Sequence, residues 1–188
     1  THIINATIKQ GVDGPGPSKK GDAILSRSQA RPDFTKLEIS LSRMQRLSDS
    51  WAAQFQVAGQ ESSGPLYASE EFGVGGQSYG RAYDSSEIVG DRGISGAIEL
   101  RYTALRTMQP INFEPFIYLD SGIVENDDVG QSKRDSLSSF GGGVRFASTH
   151  GQSGLLGFAI PLARDVSAPV YGANPGSPRV MLQLAQSF

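Results

Sequence analysis

Apolar residues recur at every second position through most of this 188-residue chain, and that pattern demands strands rather than helices. Eight such segments can be drawn. In the first, His2 to Val12, Ile4, Ala6 and Ile8 lie opposite Asn5, Thr7 and Lys9. The second, about Asp33 to Leu47, sets Leu37, Ile39 and Leu41 against Lys36, Glu38, Ser40 and Ser42. In the third, Trp51 to Gln60, Trp51, Phe55 and Val57 oppose Gln54, Gln56 and Gln60. The fourth, Gly93 to Thr103, sets Ile94, Ile98, Leu100 and Tyr102 against Ser95, Glu99 and Arg101. The fifth, Ile111 to about Val124, places Phe113, Ile117 and Leu119 opposite Glu114, Tyr118 and Asp120. The glycine-rich sixth, Leu137 to Ala147, has Phe140, Val144 and Phe146 opposite Gly141, Gly143 and Arg145. Phe158, Ile160 and Leu162 share a face of the seventh, Gly154 to Arg164. In the last ten residues Val180, Leu182 and Leu184 alternate with Arg179, Met181, Gln183 and Ala185.

A set of strands with one oily and one wet face fits either a soluble β-sandwich or a membrane barrel, whose strands are about ten residues long. Connection lengths separate the two. Leu47 to Trp51, Tyr102 to Ile111 and Ala147 to Gly154 are short; Val12 to Asp33, Gln60 to Gly93, Val124 to Leu137 and Arg164 to Arg179 are long. Strict alternation of short and long is the habit of outer-membrane barrels, with tight periplasmic turns and long outer loops. Trp51, Tyr102 and Phe188 sit near strand ends on the short-turn side, where an aromatic girdle belongs. The stop on Phe188 after Val180, Leu182 and Leu184 resembles the C-terminal signal that outer-membrane barrels present to the barrel-assembly machinery.

Composition removes several other classes. Hydrophobic residues make up 38% and no apolar run is long enough for a transmembrane helix, which a barrel does not need. Without cysteine there is neither a disulfide scaffold nor a zinc–thiolate site. A net charge of -2 offers no basic footprint for nucleic acid. The chain opens directly on the strand-like Thr1-His2-Ile3-Ile4-Asn5 with no signal peptide, so it is expected to be the C-terminal part of a longer exported precursor.

The longest connection, about residues 61–92, holds Phe72-Gly73-Val74-Gly75-Gly76-Gln77-Ser78-Tyr79-Gly80-Arg81-Ala82-Tyr83, a glycine-hinged stretch with one cation between two tyrosines. Glycine allows positive φ and close backbone approach, so this loop is expected to fold into a compact hairpin. The stretch resembles the F-x-x-GG-x-x-x-VRGY pattern of the two-partner secretion transporters, the hemolysin secretion/activation family. Tyr118-Leu119-Asp120-Ser121-Gly122 resembles that family's inward-facing x-D-x-G motif. Ala82 replaces the glycine after the arginine, and Tyr118 replaces the phenylalanine before the aspartate. Gly90-Asp91-Arg92-Gly93 and Ile160-Pro161-Leu162 also look familiar from these transporters.

The resemblance implies an all-β fold: an antiparallel transmembrane β-barrel in the bacterial outer membrane. Its eight segments would be the C-terminal half of a sixteen-stranded barrel. It further implies that the long loop folds into the lumen and is latched there by Arg81 and Asp120, with Gly80, Tyr83, Tyr118 and Gly122 around them. A bidentate pair is the expected geometry, because guanidinium offers carboxylate a rigid fork. The function implied is secretion of an unfolded partner protein, of adhesin or cytolysin type, through the barrel and across outer-membrane lipid. A barrel-assembly or insertase role, a passive or self-contained eight-stranded barrel, and a soluble β-sandwich are the alternatives.

Lys36, Glu38, Glu99, Arg101, Glu114 and Arg145 are expected to line the lumen, either as a wet polar coat or as weak contacts for a passing chain. Glu125-Asn126-Asp127-Asp128 reads as a solvated outer loop, with calcium binding as the lesser reading. No cofactor or metal is expected. Nor is catalysis, because His2 and His150 are the only histidines that could serve as a base.

Overall fold

The computed structural model describes residues 1–13, 25–107, 110–127, 134–162 and 177–187. Ten strands follow in chain order: β1 (His2–Gln10), β2 (Thr35–Arg46), β3 (Trp51–Ser62), β4 (Phe72–Val74), β5 (Ile88–Gly90), β6 (Arg92–Tyr102), β7 (Ile111–Glu125), β8 (Arg134–Ser148), β9 (Gln152–Pro161) and β10 (Arg179–Gln186). Eight of them form one antiparallel sheet in the order β1-β2-β3-β6-β7-β8-β9-β10, and β4 and β5 pair as a separate hairpin inside the long loop. These eight correspond one for one to the segments read from the alternation. The sixth begins earlier than expected because Arg134 pairs with Glu125, extending the β7–β8 ladder beyond Leu137.

Register follows from the short connections. Leu47 and Ser48 both donate their amides to the Trp51 carbonyl, at 2.9 and 3.1 Å, closing the β2–β3 turn. Across the next pairing Trp51 lies opposite Tyr102, their ring centroids 5.0 Å apart. Phe188, the third girdle aromatic, lies outside the described residues.

The two faces of the sheet are reversed relative to a water-soluble protein. Leu37, Ile39, Leu41, Ile98, Ile117, Leu119, Phe158 and Ile160 are exposed, whereas Lys36, Glu99, Glu114 and Asp120 are buried. In water that arrangement would leave the apolar side chains unpaid and the charges desolvated. A hydrocarbon surround on the apolar side resolves the first, and the buried charges are met by one another in ion pairs. The β-sandwich alternative fails because the eight strands form a single sheet, with no second sheet over the apolar face among the described residues. A self-contained eight-stranded barrel would need β1 paired with β10. Among the described residues each has a single neighbour, β2 and β9 respectively.

The inner face is covered by the long loop. Val74, Ala82, Tyr83 and Ile88 from the loop form a buried cluster with Phe116, Tyr118, Val124, Leu137 and Ala159 from β7, β8 and β9. The expected hairpin is present as β4 and β5, and Gly75 shows why glycine is required there. Its φ is +126°, and a Cβ would lie 2.1 Å from the Asp84 carbonyl oxygen.

The outward face of β7 makes the lipid assignment testable. Leu119→Arg places a charge near the middle of an outward-facing strand and should destabilise the full-length barrel by about 2–4 kcal/mol. Gln56→Arg, on the inner face of β3, should be tolerated. Outer-membrane abundance and heat-modifiable gel mobility check both; equal loss for the two variants would contradict this facing.

Candidate functional site

The tip of the long loop, Gly80 and Arg81, rests on the inner face of β6, β7 and β8. Tyr83 donates its amide to the Gly80 carbonyl at 2.9 Å, so the tip is a tight turn. Gly80 adopts φ +73°, and a Cβ there would fall 2.4 Å from the Leu137 side chain. Leu137 is fully buried and has nowhere to retreat. Gly122 plays a complementary part on the wall, leaving the space that the Val74 methyls occupy. Tyr83 is buried and its hydroxyl donates to the Ser138 carbonyl at 3.3 Å.

Arg81 and Asp120 do meet, but not as a fork. A single contact joins Arg81 Nε to Asp120 Oδ2 at 3.3 Å. The other carboxylate oxygen, Oδ1, accepts the Gly80 amide at 2.9 Å and a short hydrogen bond from the Ser139 hydroxyl. Asp120 therefore holds the loop by its backbone as much as by its cation. The expected bidentate pair is corrected on this point: an oxygen already committed to an amide and a hydroxyl is not available to a second guanidinium N–H.

The remaining arm of Arg81 turns to Glu99. Arg81 Nη1 donates to Glu99 Oε2 at 2.8 Å. The guanidinium carbon stands 3.8 Å over the Tyr118 ring, a cation–π contact. Tyr118 in turn reaches across β8, its hydroxyl donating to the Phe158 carbonyl at 3.4 Å. Glu99 is shared further: Arg101 Nε approaches Oε1 at 2.7 Å and Arg145 Nη1 at 2.8 Å. Glu114 lies 3.6 Å from both Arg101 and Arg145. Arg101 also donates to Gln54, and Arg145 stacks 4.0 Å over Phe116. Three guanidinium groups and three carboxylates thus balance in one network on a face largely closed to solvent.

Four of the six lining residues, Glu99, Arg101, Glu114 and Arg145, belong to this network. Lys36 and Glu38 do not. They form a second cluster in which Lys36 Nζ is 2.7 Å from Glu38 and 2.9 Å from Glu70 of the loop. The Lys36 hydrogen bond is the main reason the Glu70 carboxyl lies below its ordinary value, against the opposing effect of burial. Ser139 and Gln54 are site residues that the alternation alone did not single out. Serine and glutamine are ordinary on a wet strand face, and only the register with Asp120 and Arg101 gives them a partner. The possible calcium ligands are otherwise engaged: Asp127 pairs with Arg92 at 2.5 Å, and Asn126 accepts from Arg27 at 3.2 Å. Asp128 lies outside the described residues.

Val180, Leu182 and Leu184 are exposed on the apolar face of β10, which pairs with β9. Beneath the loop tip is a crevice of about 590 Å³, bordered by Arg81, Glu99, Arg145, Gln54 and Gln183.

The family model for the haemolysin secretion/activation protein ShlB/FhaC/HecB matches residues 2–146. The chain belongs to this family. An outer membrane transporter, CdiB of Dickeya dadantii (strain 3937), is 30% identical over 145 residues, covering 77% of this chain and 26% of its own length. Among solved structures, CdiB from Escherichia coli superposes with a TM-score of 0.78 at 21% identity, covering all of this chain and 33% of the other. The chain therefore spans about a quarter to a third of the length of these relatives. The likeness to the solved structure concerns the fold, an antiparallel outer-membrane barrel.

Gly80 offers a direct probe of the tip. Gly80→Ala should unseat it, at roughly 1–2 kcal/mol for the left-handed backbone alone with the collision against Leu137 in addition. Amide exchange across residues 75–84 of the solubilised full-length protein should accelerate. Unchanged exchange would mean that the tip geometry is not confined as described.

Proposed function

We propose that this chain forms the C-terminal part of an outer-membrane pore that secretes a partner protein, of adhesin or cytolysin type, as an unfolded chain. The long loop acts as a latched element within it. The observation that carries the reading is the seating of Arg81 and Gly80 on Asp120, Glu99 and Tyr118. A purely passive barrel has no use for a glycine-hinged loop locked to its inner wall by ions and a backbone amide.

Membership of the haemolysin secretion/activation family supports the secretion branch. The polar inner face supports passage of an extended polypeptide. Gln54, Gln56 and Gln183 present groups that both donate and accept, and the mixed charges favour many weak contacts over one strong one. No nucleotide is required, because folding of the partner outside supplies the drive. On this reading the loop occupies one of two positions, and its contacts set the balance between them. Outer-membrane lipid surrounds the apolar face. The exposed Val180, Leu182 and Leu184 of β10, with Phe188 beyond them, form the strand end that the barrel-assembly machinery reads.

Arg81→Ala and Asp120→Ala in the full-length transporter should each reduce secretion of its partner at least about tenfold, as expected for an interaction of a few kcal/mol at a buried pair. Barrel levels in the outer membrane should be retained. The double variant should be little worse than either single one, because the two side chains serve one docking event. Normal secretion by both single variants would overturn the latch.

A further inference from the structure

The loop has a further point of attachment at its foot, built from Arg27, which belongs to no motif, and Asp91. Arg27 comes from the connection between β1 and β2, and Asp91 from the foot of the loop, where β5 hands over to β6. Their pairing is the fork absent at the tip: Arg27 Nη1 donates to Asp91 Oδ1 at 2.5 Å and Nη2 to Oδ2 at 3.1 Å. Both side chains are almost wholly withdrawn from solvent, at 3% and 0% exposure.

Further side-chain contacts of the pair reach the connections around it. Arg27 Nη1 also donates to the Leu66 carbonyl at 3.0 Å, and Glu71 lies 3.2 Å away. Asp91 accepts the Leu66 amide at 2.7 Å and the Asp127 amide at 2.8 Å. Asn126 accepts from Arg27 Nη2 and donates to the Val89 carbonyl at 3.0 Å. Leu66 marks the entry to the loop, Asp91 its exit, and Asn126 and Asp127 the start of the connection between β7 and β8. The entry is pinned once more by backbone, since Arg31 donates its amide to the Pro65 carbonyl at 3.1 Å. Burial alone would raise the Asp91 carboxyl. The Arg27 guanidinium and the two amides more than offset that and hold it below its ordinary value.

We infer that Arg27 and Asp91 form an outer clasp that fixes the foot of the long loop independently of the tip, so that a released tip swings on a fixed base. The two anchors share no residue. The tip uses Gly80 and Arg81 against the middle of β6, β7 and β8; the clasp joins three connections beyond one end of the strands. Chemistry favours a permanent fastening at the clasp. A bidentate pair with all of its carboxylate oxygens committed, in a buried site, costs several kcal/mol to open because either partner is left charged and unpaired. At the tip the guanidinium is shared out instead, one nitrogen 3.3 Å from Asp120 and another donating to Glu99 at 2.8 Å, with no fork on either carboxylate. Arg27 and Asp91 are positioning residues: they meet the loop and its neighbours, and they act on the tip only through the path they impose.

The test uses the full-length transporter in intact cells, with a sequence-specific protease site placed at the exposed Gln77–Ser78 and protease added from outside. It reads loop position without reading secretion, so failure of the secretion proposal and failure of the clasp remain distinct. Arg81→Ala alone should leave the tip swinging within the barrel on its fixed foot, and Arg27→Gln alone should leave the tip seated, so each should keep the site protected from protease outside. The double variant should be cleaved at least about tenfold faster than either, the signature of two independent fastenings in parallel. Restoring the cation as Arg27→Lys in the Arg81→Ala background should recover part of the protection. Outer-membrane abundance and heat-modifiable mobility establish that each barrel has assembled. If Arg27→Gln does not assemble, Asp91→Asn, which keeps the shape but only one of the two amide contacts, replaces it. Cleavage of the double variant at the rate of Arg81→Ala alone, or assembly failure of both clasp variants, would overturn an independent clasp in favour of a purely structural pair.

Discussion

Everything in this chain follows from placing a polar backbone against hydrocarbon. Peptide groups facing lipid must be satisfied within the sheet, so the chain runs as long antiparallel strands paired on both sides wherever a neighbour exists. Side chains alternate along such strands, and lipid accepts only the apolar half. Arg43, Arg92, Glu125 and Arg134, of the opposite parity, sit toward strand ends, while the buried charges Lys36, Glu99, Glu114 and Asp120 are thereby driven to one face. There they are too close together, and too far from bulk water, to be left unpaired. The long loop answers that problem while creating the candidate site: it brings Arg81 to Glu99 and Asp120, and Glu70 to Lys36.

Glu99 shows how tightly this balance is drawn. Its two oxygens face Arg81, Arg101 and Arg145 within 2.8 Å. Three cations on one carboxylate would repel one another were Asp120 and Glu114 not completing the set. Buried ion pairs of this kind contribute little net stability compared with apolar packing, because each group has given up its hydration. Their strength lies in the cost of removing one member and leaving another uncompensated. The network therefore specifies where the loop sits more than it stabilises the sheet, whose ladders do not depend on it.

The architecture was legible because its cause is periodic. Alternation locates a strand and assigns its faces together, so the inward position of Asp120 and the outward position of Leu119 followed from counting. The seating of the tip was legible in residue identity but not in geometry. Guanidinium and carboxylate types suggest a fork. The Gly80 amide and the Ser139 hydroxyl, which take up one oxygen of Asp120, emerge only when three segments are brought into register. The Arg27–Asp91 pair was further out of reach. Its members are 64 residues apart, and neither lies on a strand whose alternation would assign it a direction. Asp91 drew notice only as part of Gly90-Asp91-Arg92-Gly93, and Arg27 belongs to no pattern at all.

The contrast between the two ends of the loop bears on how such an element could move. A ligand shifts a two-position equilibrium only by the difference in its affinity for the two positions. An extended polypeptide entering the crevice beneath the tip meets Arg81, Glu99, Arg145 and Gln183, the same groups that seat the loop or border it. It can therefore compete for them group by group, replacing one set of hydrogen bonds with another at small net cost. No such exchange is offered at the Arg27–Asp91 end, where both oxygens of Asp91 are filled by backbone amides and a guanidinium in a closed site. On the proposed reading, competition at one end and permanence at the other would confine the response of the loop to a swing of its tip. Tyr83, buried in one cluster with Tyr118 and Leu137, must leave the wall with it. That apolar seat supplies the restoring force, since the surface exposed in the swing is recovered on return.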